Sequence, residues 1–130
     1  MKNVTASIGK TNYTVAIHAG AHALAADEPL ARGGQDAGPA PRELLLAALA
    51  SCTAITLRMY AERKQWVLDS VHVDTRLRIE ADKKVAIDRV LTLNGNLNDE
   101  QRARLADIAE RTPVTLTLKS GVDIHTSLAA

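Results

Sequence analysis

The sequence carries a single strong nucleophile, Cys52. A cysteine acts as a nucleophile through its thiolate, and a thiol ionises at neutral pH only beside a positive charge or a helix N-terminus. Cys52 lies about ten residues into an apolar helical stretch, beyond the reach of a helix dipole's first turn. Its neighbours within one turn, Ala48, Leu49, Thr53 and Thr56, supply no cation. On those terms alone a lone cysteine is a small, inert, buried hydrophobe. Other chemistry is poorly supported. Gly9-Lys10-Thr11 imitates the tail of a phosphate-binding loop, yet Val4 stands where the first glycine belongs and no helix follows. His18, His22, His72 and His125 lack the Cys/His spacing of a zinc site. Asp123, His125 and Ser127 share one face of an alternating segment but have no nucleophile elbow. No metal and no cofactor are expected.

The elements that must position Cys52 belong to a chain of 130 residues, 46% hydrophobic and 24% charged, which predicts one domain over 1–130. Sixteen basic against fifteen acidic residues give a net charge of +1, and there is one Trp, two Tyr and no Phe. That balance supplies neither a field for nucleic acid or anionic lipid nor stacking platforms for bases, so no nucleic-acid or membrane partner is expected. A single cysteine allows no intrachain disulfide and suits a reducing compartment. The N-terminal Met-Lys-Asn-Val-Thr-Ala-Ser has no apolar run of the kind a secretory signal needs, so a cytoplasmic location is expected. The longest apolar stretch, Leu44 to Leu57, falls short of the roughly 20 residues that cross a bilayer and reads as a buried helix.

Alternation at Val4, Ala6 and Ile8, a turn at Gly9 to Asn12, and alternation through Tyr13, Val15 and Ile17 predict a hairpin. Residues 22 to 28 supply a third short strand. Arg32 to Pro41 is too rich in Gly and Pro for regular structure and reads as an ordered loop or lid. From Arg42 to about Lys64 there is no Gly or Pro, and Leu45, Ala48, Leu49, Cys52, Ile55, Thr56 and Met59 recur at helical spacing. Pro41 and Glu43 suit the start of that helix. Val71 to Ile79 alternates as a strand with one wet face, and a turn at Ala81 to Lys84 leads into a second strand, Val85 to Asn94. Asn98 and Gln101 form a capping-box start for a helix to about Arg111. Val114 to Leu118 reads equally as a strand, from its alternation, or as a short helix behind a Thr cap and Pro113. Val122, Ile124 and Thr126 predict a last strand.

The stretch Gly33-Gly34-x-x-x-Gly38-Pro39-x-Pro41-x-Glu43-Leu44-Leu45 through Ala50-Ser51-Cys52-Thr53, followed by a long helix and an alternating strand, resembles the OsmC/Ohr family of osmotically induced and organic-hydroperoxide-resistance proteins. Ala25-Ala26-Asp27-Glu28-Pro29 and Pro113-Val114 extend the likeness over most of the chain. The resemblance implies an α/β (α+β) fold with antiparallel sheets around a long central helix and an intertwined two-fold dimer. It also implies a cysteine thiolate that reduces hydroperoxides, which places the chemistry on Cys52. In the peroxidatic members a second cysteine in a Cys-Pro-Val motif resolves the sulfenic acid; here Thr112 precedes Pro113-Val114. Those members place a carboxylate directly after the proline, where this chain has Arg42 with Glu43 one position on. Their active-site arginine comes from the first hairpin, where this chain offers only Lys10.

The resemblance and these departures together imply a divergent member: a one-cysteine peroxidase that reduces a small organic hydroperoxide through Cys52 and is recycled by an external thiol. The alternative is a catalytically inactive dimer that binds an apolar small molecule at its interface. Arg42 and Cys52 are ten residues apart, about 15 Å along one helix, and cannot touch within a subunit. Two helices packed antiparallel about an axis near Ala47 would bring the Arg42 of one copy to the Cys52 of the other, so Cys52, Arg42 and Glu43 are the candidate site residues.

Overall fold

In the computed structural model, which describes residues 3–129, the N-terminal alternation forms β1 (Val4–Ser7), β2 (Val15–Ala19) and β3 (His22–Ala26). Met1 and Lys2, the head of the segment read as lacking a signal, lie outside the described residues, as does Ala130. The strands make an antiparallel sheet in the order β1-β2-β3, with Val4 opposite Ala19 and Val15 opposite Ala26. The hairpin and the third strand stand as expected, except that β2 begins at Val15 rather than Tyr13. The reason is local. The Tyr13 N–H and the Thr14 hydroxyl are drawn to the Asp27 carboxylate, at 3.2 and 2.7 Å, instead of continuing the ladder.

Asp27 also organises the Gly/Pro-rich segment. It is 2% exposed, and its carboxylate accepts hydrogen bonds from the N–H groups of Glu28 (2.7 Å), Gln35 (3.3 Å) and Ala37 (3.2 Å). The loop is therefore ordered, with a 3-10 turn at Leu30–Arg32 and with Gly34 and Gly38 set against backbone. A methyl group added at Gly34 would overlap the Glu28 carbonyl, and one at Gly38 would overlap the carbonyl of Ala25. Burial alone would raise the Asp27 pKa. The Thr14 hydroxyl and the N–H groups of Glu28, Ala37 and Gln35 outweigh it and hold the carboxyl at about 2, below the ordinary 3.8. A depressed carboxyl contributes stability that is present above its unfolded pKa, near 4, and lost as pH falls through about 2. The Gln35 and Ala37 amide resonances should accordingly titrate with a midpoint near 2; a midpoint near 4 would show that the carboxylate is not held in this way.

The chain divides into two compact units, Met1–Leu45 and Leu46–Ala130, and the long helix α1 (Pro41–Lys64) runs through the boundary. Pro41 occupies the first turn, the Glu43 carboxylate accepts from the Ala40 N–H at 2.8 Å, and Arg63 and Lys64 lie in the last turn. These are the groups that satisfy a helix's free ends and oppose its dipole.

The second unit contains α1 from Leu46 onward, β4 (Ser70–Ile79), β5 (Val85–Asn94), α2 (Asp99–Ala109) and α3 (Pro113–Ser120). β4 and β5 form an antiparallel ribbon from Ser70 opposite Asn94 to Ile79 opposite Val85. Leu57 and Ala61 of α1, Leu68, and Leu105 and Ala109 of α2 are its buried core, with Val71, Leu91 and Leu93 packed against them. The expected capping box starts α2: Asn98 accepts from the Gln101 N–H at 2.8 Å and Gln101 accepts from the Asn98 N–H at 3.0 Å. The open reading of 112–118 resolves as helix. Thr112 caps α3, its hydroxyl accepting from the Thr115 N–H at 3.3 Å with Pro113 in the first turn.

Two expectations are corrected. The last strand, Val122 to Thr126, is absent: residues 121–129 form no ladder, and Ile124 is 82% exposed. Alternation makes a strand only where an edge pairs with it, and among the described residues β4 and β5 pair only with each other. The order thus ends in two helices rather than a helix and a strand. The apolar stretch Leu44 to Leu57 is not a helix buried all round, because only the stripe Leu49, Thr53, Leu57 and Ala61 is covered. Leu45, Ile55 and Met59 are exposed. By length and composition this 24-residue helix, with a mean hydropathy of 1.6 over its most apolar window, is sufficient to cross a membrane. Leu57 and Ala61 of its inner stripe belong to the core just described.

Candidate functional site

Cys52 lies midway along α1 and is half-buried. It sits on the stripe that also holds the exposed Ala48, Ile55 and Met59, next to but not on the buried stripe. Beginning two residues beyond it, Ala54, Ile55, Arg58, Met59, Glu62 and Val71 line an open groove of about 520 Å³. Apolar walls with two charged side chains suit a ligand that is mostly hydrocarbon. The Arg58 guanidinium is engaged by the backbone carbonyls of Leu68 and Asp69. Among the described residues no arginine or lysine hydrogen bond ends on the Cys52 sulfur.

The other two sequence-predicted residues lie at the start of the same helix. Arg42 and Glu43 are both exposed, and Glu43 is committed through one carboxylate oxygen to capping the helix at Ala40. Within one chain the helix separates Arg42 from Cys52 by ten residues and Glu43 from it by nine, as the spacing required.

A polar cluster that the sequence reading did not find adjoins Cys52. Arg89 of β5 has a side chain only 12% exposed. It falls in the inward phase of its strand, between Ile87 and Leu91. One guanidinium nitrogen donates to Thr53 Oγ1 at 3.0 Å and to Thr115 Oγ1 at 2.9 Å, and the other lies 3.7 Å from the Glu110 carboxylate. The Lys119 hydrogen bond, opposed by burial and aided by the charges of Lys119 and Arg89, keeps Glu110 below its ordinary pKa, so it is ionised at neutral pH. Thr115 has one proton to give, and it reaches the Ala109 carbonyl at 3.2 Å. The 2.6 Å contact between Thr112 and Thr115 then runs from the Thr112 hydroxyl. Thr112, fully buried, is thus part of a satisfied network rather than a vacant position. The available signal was a charged residue in the apolar phase of an alternating strand.

Residues 33–127 match the model of the OsmC-like protein family. The chain belongs to the OsmC-like family. Its structural likeness to other OsmC-like proteins is extensive. An OsmC-like protein from Mycoplasma pneumoniae superposes with a TM-score of 0.79 at 16% identity, covering 92% of this chain and 87% of that one. The organic hydroperoxide resistance protein OhrB of Bacillus subtilis superposes with a TM-score of 0.63 at 23% identity, over 95% and 93%. An organic hydroperoxide resistance protein OsmC from Legionella pneumophila gives 0.66 at 23% identity, over 95% and 92%. At these identities the likeness establishes the shared fold, a mixed α/β arrangement of antiparallel sheets and a long helix. No curated protein sequence matches the chain. For an OsmC-like chain, the Gly-Gly…Gly-Pro spacing has a physical basis here: Gly33 takes a left-handed φ of 89°, and Gly34 and Gly38 are pressed against the backbone on either side of Asp27.

Proposed function

We propose that this OsmC-like protein is a cytoplasmic, thiol-dependent peroxidase that uses one cysteine, Cys52, to reduce small organic hydroperoxides in oxidative-stress defence. The observation that carries the reading is the position of Cys52, partly exposed on an apolar stripe beside an apolar groove. The thiolate sulfur attacks the distal peroxide oxygen, the O–O bond breaks, and the alcohol leaves with a proton, giving cysteine sulfenic acid. With Thr112 in place of a second thiol, an external thiol condenses with the sulfenic acid, releasing water. A second external thiol then displaces Cys52 and leaves as the oxidised disulfide.

The active form is a two-fold homodimer. Two surfaces support it: the exposed stripe of Ala48, Ile55 and Met59, and the unpaired alternating tail with Val122, Ile124 and Leu128. Both leave apolar side chains in water that a second copy would cover. With α1 packed against its partner's α1, the Arg42 of one copy supplies the cation that ionises the Cys52 of the other, and Glu43 fixes that helix end. Arg42→Ala should slow alkylation of Cys52 at pH 7 several-fold, because the thiolate is the form that reacts and a neighbouring cation favours it. An unchanged pH profile of alkylation removes Arg42 from the site.

A second reading is favoured by the absence of any cation hydrogen-bonded to the Cys52 sulfur among the described residues: an inactive dimer that holds an apolar small molecule at its interface. Consumption of cumene hydroperoxide with a dithiol in excess separates the two. Turnover above that of the dithiol alone supports the peroxidase; none supports the binding protein.

A further inference from the structure

The helix that presents Cys52 has two apolar sides. Leu49, Leu57 and Ala61 face inward and Ala48, Ile55 and Met59 face outward, so burying hydrocarbon does little to decide which side is inside. Rolling the helix by about 150° would put Ala48, Cys52, Ile55 and Met59 in place of Leu49, Thr53, Leu57 and Ala61 on the inner stripe. What differs between the two sides is a hydroxyl. Thr53 is fully buried, its Oγ1 donates to the Leu49 carbonyl at 2.7 Å, and it accepts from Arg89 at 3.0 Å. The same Arg89 nitrogen is anchored on the far side by Thr115, which Thr112 and the Ala109 carbonyl hold in turn. Burying a guanidinium carries a desolvation cost that an apolar side chain of similar size avoids, and such groups are retained in some proteins because they fix one arrangement among near-equivalent ones.

We infer that Arg89 is a positioning residue, a rotational lock that engages Thr53 of α1 and thereby keeps Cys52 on the outward stripe. Its functional meaning rests on the reading of Cys52 as the working thiol, but its test uses no peroxide. A protein that ignores hydroperoxides can still display the lock.

The test labels single cysteines with N-ethylmaleimide in native full-length protein. In a Cys52→Ser background, Leu57→Cys reports the inner stripe of α1 and Leu105→Cys reports a core position on α2; both parent residues are fully buried. Replacing Arg89 with Met should accelerate labelling at position 57 by about tenfold or more, through easier rotation of α1, while position 105 changes less than about twofold. In the chain that retains Cys52, the same replacement should slow labelling of Cys52. Arg89→Lys, which keeps the charge and a single donor nitrogen, should restore part of the protection. Should Arg89→Met fail to fold, Thr53→Val removes only the α1 end of the lock and should give the same site-selective change. No change at position 57, or an equal rise at 57 and 105, overturns the proposal, since a general stabiliser would loosen both.

Discussion

Gly34→Ala is expected to unfold the first unit under conditions where the parent chain is stable. The added methyl would overlap the Glu28 carbonyl and approach the Asp27 carboxylate oxygen. Neither can retreat. The Glu28 carbonyl accepts from the Asp36 N–H at 3.1 Å, and the Asp27 carboxylate is held by donors from Tyr13, Thr14, Glu28, Gln35 and Ala37. Overpacking against backbone rather than a flexible side chain costs about 3 kcal/mol or more, a large share of a small unit's stability. Gly9→Ala is the control, because nothing lies within 4 Å of a methyl group there, and its cost should stay within about 0.5 kcal/mol. Urea midpoints followed by circular dichroism measure both. Equal midpoints for the two variants would show that the Gly-Gly loop is not packed as described.

Cys52→Ser is expected to reduce hydroperoxide consumption to the level of protein-free solution while leaving the fold intact. The change is nearly isosteric at a half-buried position and should alter stability by less than about 1 kcal/mol. A serine hydroxyl with no adjacent base does not ionise at neutral pH, and it cannot be oxidised by a peroxide as sulfur is. The same variant should still bind an apolar molecule in the groove of Ala54, Ile55, Met59 and Val71, which does not include the sulfur. Undiminished hydroperoxide consumption by Cys52→Ser would place the chemistry on another residue.

Where a local rule has one outcome, the fold was legible. Pro41 and Glu43 could only begin a helix, and Asn98 with Gln101 could only cap one. The alternation of β4 set its inner face from Val71 to Leu77, while Ile79, at the end of the strand, is exposed. Where two outcomes satisfy the same local rule, tertiary contacts decided. Thr112-Pro113 and the alternation behind it gave opposite readings until the Thr112 hydroxyl was seen to cap α3. Val122, Ile124 and Thr126 alternate as well as β4 does, but no described strand pairs with them.

The candidate site shows the same division. Cys52 and the positions of Arg42 and Glu43 on one helix were readable from spacing and resemblance. The orientation of that helix was not, since Leu45, Ile55 and Met59 are as apolar as Leu49 and Leu57. The group that distinguishes the two sides, Arg89, is 36 residues away in sequence from Thr53 and belongs to another element. Only its charge within an apolar phase hinted at it.

The most direct test of the central claim is the rate at which Cys52 becomes a sulfenic acid. Purified protein is mixed with cumene hydroperoxide and dimedone, and the intact mass is followed with time. A working peroxidatic thiolate should give one adduct per chain at about tenfold or more the rate of free cysteine, only a few per cent of which is ionised at pH 7. Adduct formation no faster than for free cysteine would contradict the account and leave a binding protein on an OsmC-like scaffold.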